Sequence, residues 1–225
     1  MVLGVKEVPI EMDEETARTR LLDAAETLFY GCGIHAVGMD DVRTASGVSL
    51  KRLYRLYPAK EQLVIAYLER RDTRWRGRLA ASVAEQPDPV GRLLAVFDWL
   101  GTWFAEPDFR GCAWINSFGE MGTTSPAVLA QVRHHKAAFH RYLVELVTAA
   151  DRPAALADEL LLLAEGAMVT AGVFATVEPA ARARAAAARL VGAPHGMRGG
   201  REEIAPESRA LRTTRGLTLS QSPGD

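Results

Sequence analysis

Five basic side chains and no acidic one lie between Arg43 and Lys60: Arg43, Lys51, Arg52, Arg55 and Lys60. The chain as a whole holds 27 Lys and Arg against 28 Asp and Glu, a formal net charge of -1. A protein that coats a polyanion through bulk charge should be basic overall, so this positive potential is local and has a local purpose. Arginine can present two parallel donors to guanine, and lysine, threonine and tyrosine can each reach a phosphate oxygen. Positive charge with interleaved hydroxyl and aromatic groups is the chemistry of a nucleic-acid contact.

The residues around these cations specify how they are held. MDDVRTAS, the turn Gly47-Val48, and SLKRLYRLY read as two short helices joined at a glycine, the form of a DNA-binding helix-turn-helix. Ser46-Gly47 ends the first of the pair and Ser49 caps the second. Val48, Leu53 and Tyr57 have the spacing of a buried stripe, which leaves Ser49, Leu50, Lys51, Arg52, Tyr54 and Arg55 facing outward. Arg43 and Thr44 on the preceding helix are further candidates for contact with the DNA backbone.

Ahead of this pair, Leu21, Leu22, Ala25, Leu28 and Phe29 recur at helical spacing from Glu14, with Asp13 as N-cap and Gly31 and Gly33 as stop signals. Pro58 is expected to start a fourth helix that runs to about Ala84, before Gln86-Pro87-Asp88-Pro89, and links two domains. Lys60 then sits in a first helical turn, where backbone amides and its ammonium could hold a phosphate together. Further helices are expected at about 90–105, 112–121, 126–150, 153–176 and 179–191, and no stretch shows sustained strand alternation. The expected class is therefore all-α with about nine helices: a helix-turn-helix domain at 13–60, a larger helical domain at 61–191, and a disordered tail at 192–225 rich in Gly, Pro, Ser and charge.

Several function classes are disfavoured. No phosphate loop of the form GxxxxGK, no HExxH and no nucleophile-base pair is evident, so neither an enzyme nor a cofactor is expected. Cys32 and Cys112 are far apart and form no CxxC pair, and His134, His135, His140 and Glu145 lack the spacing of a shared metal face. No run of about 18 uncharged apolar residues occurs, which points to a cytoplasmic protein with no membrane partner.

The order of TRLLDAAETLFYGCG, the turn pair, and LYRLYPAKEQLV resembles the tetracycline-repressor (TetR) family over about residues 16–68. The joined elements are Ala24-Ala25 with Phe29, Gly33, Ser46-Gly47-Val48-Ser49, Tyr54 three residues before an aromatic, Lys60-Glu61 and Leu63. Two departures stand out: Met39 occupies the helix start where the family usually has Thr, and Leu50-Lys51-Arg52 replaces a commonly small residue early in the recognition helix. The resemblance implies a DNA-binding head on a helical ligand-binding domain, a homodimer paired through its last two long helices, double-stranded operator DNA as partner, and release by a small-molecule effector. It also implies that Tyr54 touches phosphate through its hydroxyl.

For the second domain, the resemblance turns attention to Trp99, Trp103, Trp114, Phe118, Met121 and Met168, with Asn116, Glu120 and Glu165 as polar contacts. These could line a cavity for a flat or lipophilic effector, or simply form core. Glu165, inside the apolar run LLLLAEGAMVTAGVF, either anchors a ligand or reaches water at the edge of an interface. Ala164, Ala167, Ala171 and Ala175, with Gly172, form a small-residue stripe expected to serve as the dimer seam.

Overall fold

The computed structural model describes residues 12–192. Among these residues there are nine α-helices and no strand. They are α1 (Glu14–Cys32), α2 (Met39–Ser46), α3 (Leu50–Leu56), α4 (Lys60–Ala84), α5 (Pro89–Phe104), α6 (Ala113–Met121), α7 (Pro126–Ala149), α8 (Leu156–Phe174) and α9 (Glu178–Gly192). The expected tail lies outside the described residues apart from Gly192, which closes α9.

The helix starts follow local chemistry. Asp13 accepts a hydrogen bond from the Thr16 amide at 2.7 Å, and Ser49, Asp88 and Ser125 cap α3, α5 and α7 in the same way. Met39 offers no capping oxygen, so the N-cap of α2 falls on Gly38, whose amide donates to the Asp41 carboxylate at 2.7 Å. Gly47 has φ 67°, the left-handed conformation that lets the chain reverse between α2 and α3.

Three boundaries differ from the sequence expectation. Gly31 is inside α1, and Gly33 with φ 89° does the stopping. Helix α4 begins at Lys60 rather than Pro58, because Ala59 is extended (φ -137°, ψ 153°) and takes the N-cap position. Helix α8 begins at Leu156 rather than Pro153, after a turn in which Asp151 has φ 51°.

The buried side chains form one continuous core from Ala17 on α1 to Val191 on α9. At the N-terminal end Leu21, Val42, Val48, Leu53 and Leu63 are buried with Phe29 and Tyr57 between α1, the α2–α3 pair and the start of α4. Further along, the core is aromatic. Trp75 on α4 sits edge-on to Trp99 (5.0 Å between ring centroids), Trp103 (5.7 Å), Trp114 (6.3 Å) and Phe139 (5.3 Å).

Of the small-residue stripe of α8, Ala164, Ala167 and Ala171 are turned inward, while Gly172 and Ala175 are exposed. Ala164, Ala167 and Ala171 are buried within the chain, and Ala180, Ala183 and Ala187 of α9 are buried likewise. Small side chains let the helices approach closely enough that a Cβ at Gly101 of α5 would lie 3.4 Å from Ala180. These alanines are therefore used inside one chain, which corrects their assignment to the dimer seam. The outer side of α8 carries Leu162, Val169, Val173 and Phe174 instead, with Leu162 and Phe174 each 72% exposed.

Candidate nucleic-acid interface

The outward positions of α3 are those that the buried stripe leaves over. Leu53 is fully buried, with Val48 and Tyr57 beside it, while Leu50, Lys51, Tyr54 and Arg55 are exposed and Arg52 is half-buried. Ser49 is exposed, and its hydroxyl caps α3 through the Arg52 amide at 3.4 Å. Arg52 is engaged within the chain: its guanidinium donates to the Met12 carbonyl. Lys51 and Arg55, with Leu50 and Tyr54, thus form the most accessible part of the face.

On α2, Arg43 donates to the Asp40 carboxylate at 2.6 Å and to the Thr44 hydroxyl at 3.1 Å. That pair orients the guanidinium toward the exposed side of α2, at the cost of partial neutralisation. Lys60 opens α4, whose N-terminus has no side-chain cap, and its ammonium lies 6.0 Å from the centre of the Phe29 ring. Its partly buried stem fixes where the charge emerges.

The second-domain candidates are placed differently. Trp99, Trp103 and Trp114 are buried together around Trp75, and Met168 is fully buried. Phe118 is 52% exposed, Met121 is half-buried, and Asn116 is an exposed side chain that donates to the Arg110 carbonyl at 3.0 Å. Glu165 is paired: Lys136 of α7 donates to both of its oxygens at 2.6 and 2.7 Å, and the same ammonium lies 3.3 Å from Cys112 Sγ. Burial pushes the Lys136 ammonium down, but the facing Cys112 and Glu165 outweigh it and hold the group above its ordinary value. A cavity of about 540 Å³ between α8 and α9, bordered by Leu162, Gly166, Thr170, Phe174 and Arg182, contains none of the predicted pocket residues.

Three polar features escaped sequence reasoning. Glu26 of α1 receives Arg70 (3.0 Å), Arg71 (2.7 Å) and Arg74 of α4, and Arg71 also lies 3.8 Å from the Tyr30 ring centre. Asp72 of α4 accepts from His135 Nδ1 at 2.6 Å and from Arg76 at 2.6 Å, while His135 stacks on Trp114 at 3.4 Å. Burial lowers the His135 pKa to about 4 despite its bond to Asp72; burial raises that of Asp72, but the bonds from His135 and Arg76 win and hold it near 2. Glu120, expected as a ligand contact, is turned toward the α1–α2 connection. The charged run RRDTRWRGR in α4 was the available signal for Glu26 and Asp72; nothing local in sequence pairs Glu120 with residues some 85 positions earlier.

An all-α chain with a capped glycine turn, a cation-bearing second helix and no acidic group between Arg43 and Lys60 has the architecture of a helix-turn-helix transcriptional regulator. Two family models match it: "Bacterial regulatory proteins, tetR family" over residues 21–67, and "Tetracyclin repressor-like, C-terminal domain" over residues 89–187. The fold is similar to that of a TetR-family transcriptional regulator from Streptomyces coelicolor, with 30% identity, 78% of this chain and 88% of that chain covered, and a TM-score of 0.72. A TetR transcriptional regulator from Chloroflexus aurantiacus aligns at 25% identity over 80% of this chain and 96% of its own, with a TM-score of 0.70.

In sequence, an uncharacterized HTH-type transcriptional regulator of Mycobacterium tuberculosis is 36% identical over 80 residues, which are 36% of this chain and 40% of that protein. The HTH-type transcriptional activator FasR of Mycolicibacterium smegmatis is 31% identical over 122 residues, 54% of each chain. The chain thus spans about 40% to 54% of the length of these curated relatives. It belongs to the TetR family of bacterial transcriptional regulators, and it is a DNA-binding regulator rather than an enzyme. Among the described residues, no helix is long and apolar enough to cross a membrane.

Proposed function

We propose that the protein is a cytoplasmic repressor that binds a near-palindromic operator as a homodimer and leaves it when a small-molecule effector binds the helical body. Residues 13–60 act as the reading head and 61–191 as the effector and pairing domain. The observation that carries this reading is the exposed face of Leu50, Lys51, Tyr54 and Arg55 on a helix fixed by buried Leu53, in a stretch from Arg43 to Lys60 that holds no acidic residue. Lys51 and Arg55 would approach base edges or phosphates, while Arg43, Thr44, Ser49, Tyr54 and Lys60 would hold the DNA backbone. Arg52 would join them by exchanging the Met12 carbonyl for DNA. Two such heads read successive major grooves when their recognition helices are about 34 to 36 Å apart. The exposed apolar side of α8 supports pairing of two copies.

Release needs only about 1 to 3 kcal/mol of preference of the effector for a spacing that misses the grooves. The Glu165–Lys136 pair is where a polar effector group would be met in the body. A second reading, regulation without a small molecule, is favoured by one observation: Trp99, Trp103 and Trp114 pack on Trp75 instead of leaving space.

Fluorescence anisotropy with the DNA upstream of the protein's own gene, against a scrambled duplex at two salt concentrations, tests the assignment. Selective binding that fades at a defined base pair in Arg55→Ala is expected. Equal, weak and strongly salt-dependent binding to both duplexes contradicts it.

A further inference from the structure

Helix α4 is continuous with the head's core, but one helix is a single axis and does not by itself prevent the head from rocking about it. The structure supplies two further anchors off that axis, both from α6 and the loop before it. On one side, the Tyr30 hydroxyl of α1 donates to the Gly111 carbonyl at 2.7 Å and accepts from the Arg110 amide at 2.9 Å. On the other, the Glu120 carboxylate near the end of α6 accepts from the amides of Ile34 (3.0 Å) and His35 (2.7 Å), one to each oxygen. His35 Nε2 lies 2.7 Å from the Glu120 carbonyl oxygen, which closes a three-bond clasp.

The clasp grips a sensitive place. Residues 33–38 join α1 to α2, so their position sets where α2 begins and, through the tight turn at Gly47, where α3 points. Backbone amides held by an ionised carboxylate form some of the stronger hydrogen bonds available to a protein. The Tyr30 anchor is backed from the other side: a Cβ at Gly172 of α8 would stand 3.0 Å from Gly111 Cα, so the 110–111 backbone is confined between α1 of the head and α8. Helix α8 is the element whose apolar outer side supports pairing of two copies.

We propose that Glu120 and Tyr30 are positioning residues for DNA reading. Helix α6 and its preceding loop form a two-point strap that fixes the direction of α3 relative to α8. Neither residue lies on the reading face; Glu120 is outside the head's core of Leu21, Val42, Val48 and Leu53, and Tyr30→Phe keeps the buried Tyr30 ring while removing only its hydroxyl. Breaking the strap therefore leaves the head folded but loosely aimed. Binding that needs two heads at a set spacing suffers, while contacts that any phosphate can satisfy do not. This inference rests on the proposed reading of DNA by paired α3 helices.

The test uses the full chain carrying Glu120→Gln, Glu120→Ala or Tyr30→Phe, with two readouts. Hydrogen exchange is followed over residues 33–42, with residues 20–28 of α1 as internal reference; anisotropy is followed on the upstream and scrambled duplexes at two salt concentrations. In the Glu120 variants, protection over 33–42 is expected to fall about tenfold with α1 unchanged. Affinity for the upstream duplex should fall about tenfold, with salt slope and scrambled-duplex affinity as in the parent. Tyr30→Phe should give the same pattern on a smaller scale. Unchanged protection over 33–42, unchanged selective affinity, or equal loss on both duplexes overturns the proposal. Failure of the parent protein to distinguish the duplexes defeats the DNA-reading assignment instead, and the strap is then decided by exchange alone, with unchanged protection overturning it.

Discussion

Two faces are left uncovered among the described residues, and they differ in what water does to them. The face of α2 and α3 presents Lys51, Arg55 and Thr44, with Leu50 and Tyr54 each 46% exposed among them. Ammonium, guanidinium and hydroxyl groups are well solvated, so this face waits for its partner at little energetic cost. The outer side of α8 presents Leu162, Val169, Val173 and Phe174, followed by Val177. A contiguous apolar surface gains free energy on being covered, at roughly 25 cal/mol per Å² of apolar area removed from water. The first face suits a transient, salt-sensitive partner and the second a durable one of matching apolar character, for which a second copy of the chain is the economical choice.

The largest expected effect breaks the apolar face. The double substitution Val173→Asp and Phe174→Asp should weaken self-association by roughly a thousandfold or about 4 kcal/mol, measured by analytical ultracentrifugation. An undisturbed dimer would mean that pairing uses another surface.

Next, Leu53→Ala removes the fully buried side chain beneath the polar face and should cost about 3 kcal/mol in urea denaturation. A loss well under 1 kcal/mol would show that the reading helix is held by something other than that core.

The third prediction concerns the Asp72–His135 pair, which joins α4 to α7. His135 is neutral in the fold down to about pH 4, whereas its ordinary value is 6.5, so unfolding takes up a proton between those limits. Its contribution is therefore complete above about pH 6.5 and is lost as the pH falls toward 4, by an amount on the order of 3 kcal/mol. His135→Gln should flatten the stability profile in that window; an unaltered acid slope would place the titration elsewhere. The depressed pKa of Asp72 acts lower still, with stability lost as the pH falls from about 4 toward about 2.

The smallest effect sharpens the polar face. Lys51→Ala or Lys60→Ala should each reduce the salt slope of DNA binding by about one unit, with sequence preference kept. For Lys60, an unchanged slope would confine that ammonium to its place beside the Phe29 ring.

The polar face was legible in sequence because everything that defines it is local. Caps at Asp13 and Ser49, the left-handed Gly47 and the buried spacing of Val48, Leu53 and Tyr57 all lie within a few residues of what they control. The apolar face was not legible in the same way. Helix α8 is apolar on most sides, so which stripe faces outward depends on where α5, α7 and α9 pack against it, and small alanines proved more useful inside the chain.

The tryptophans show the same limit. Their spacing leaves a cavity lining and a plain core equally open, because the residue that packs edge-on against all three, Trp75, lies on another helix. Glu120 illustrates a third case, since a carboxylate on a short helix gives no local sign that its partners are backbone amides more than 80 residues earlier.

The central claim is that these two faces work as one device, the apolar face setting the distance at which two polar faces meet DNA. Anisotropy titration of the Val173→Asp, Phe174→Asp protein against the parent, on the upstream and scrambled duplexes, tests it most directly. The account predicts that selective affinity for the upstream duplex drops at least about a hundredfold while the weak, salt-dependent binding to the scrambled duplex is kept. A monomeric variant that retains full selective affinity would contradict it.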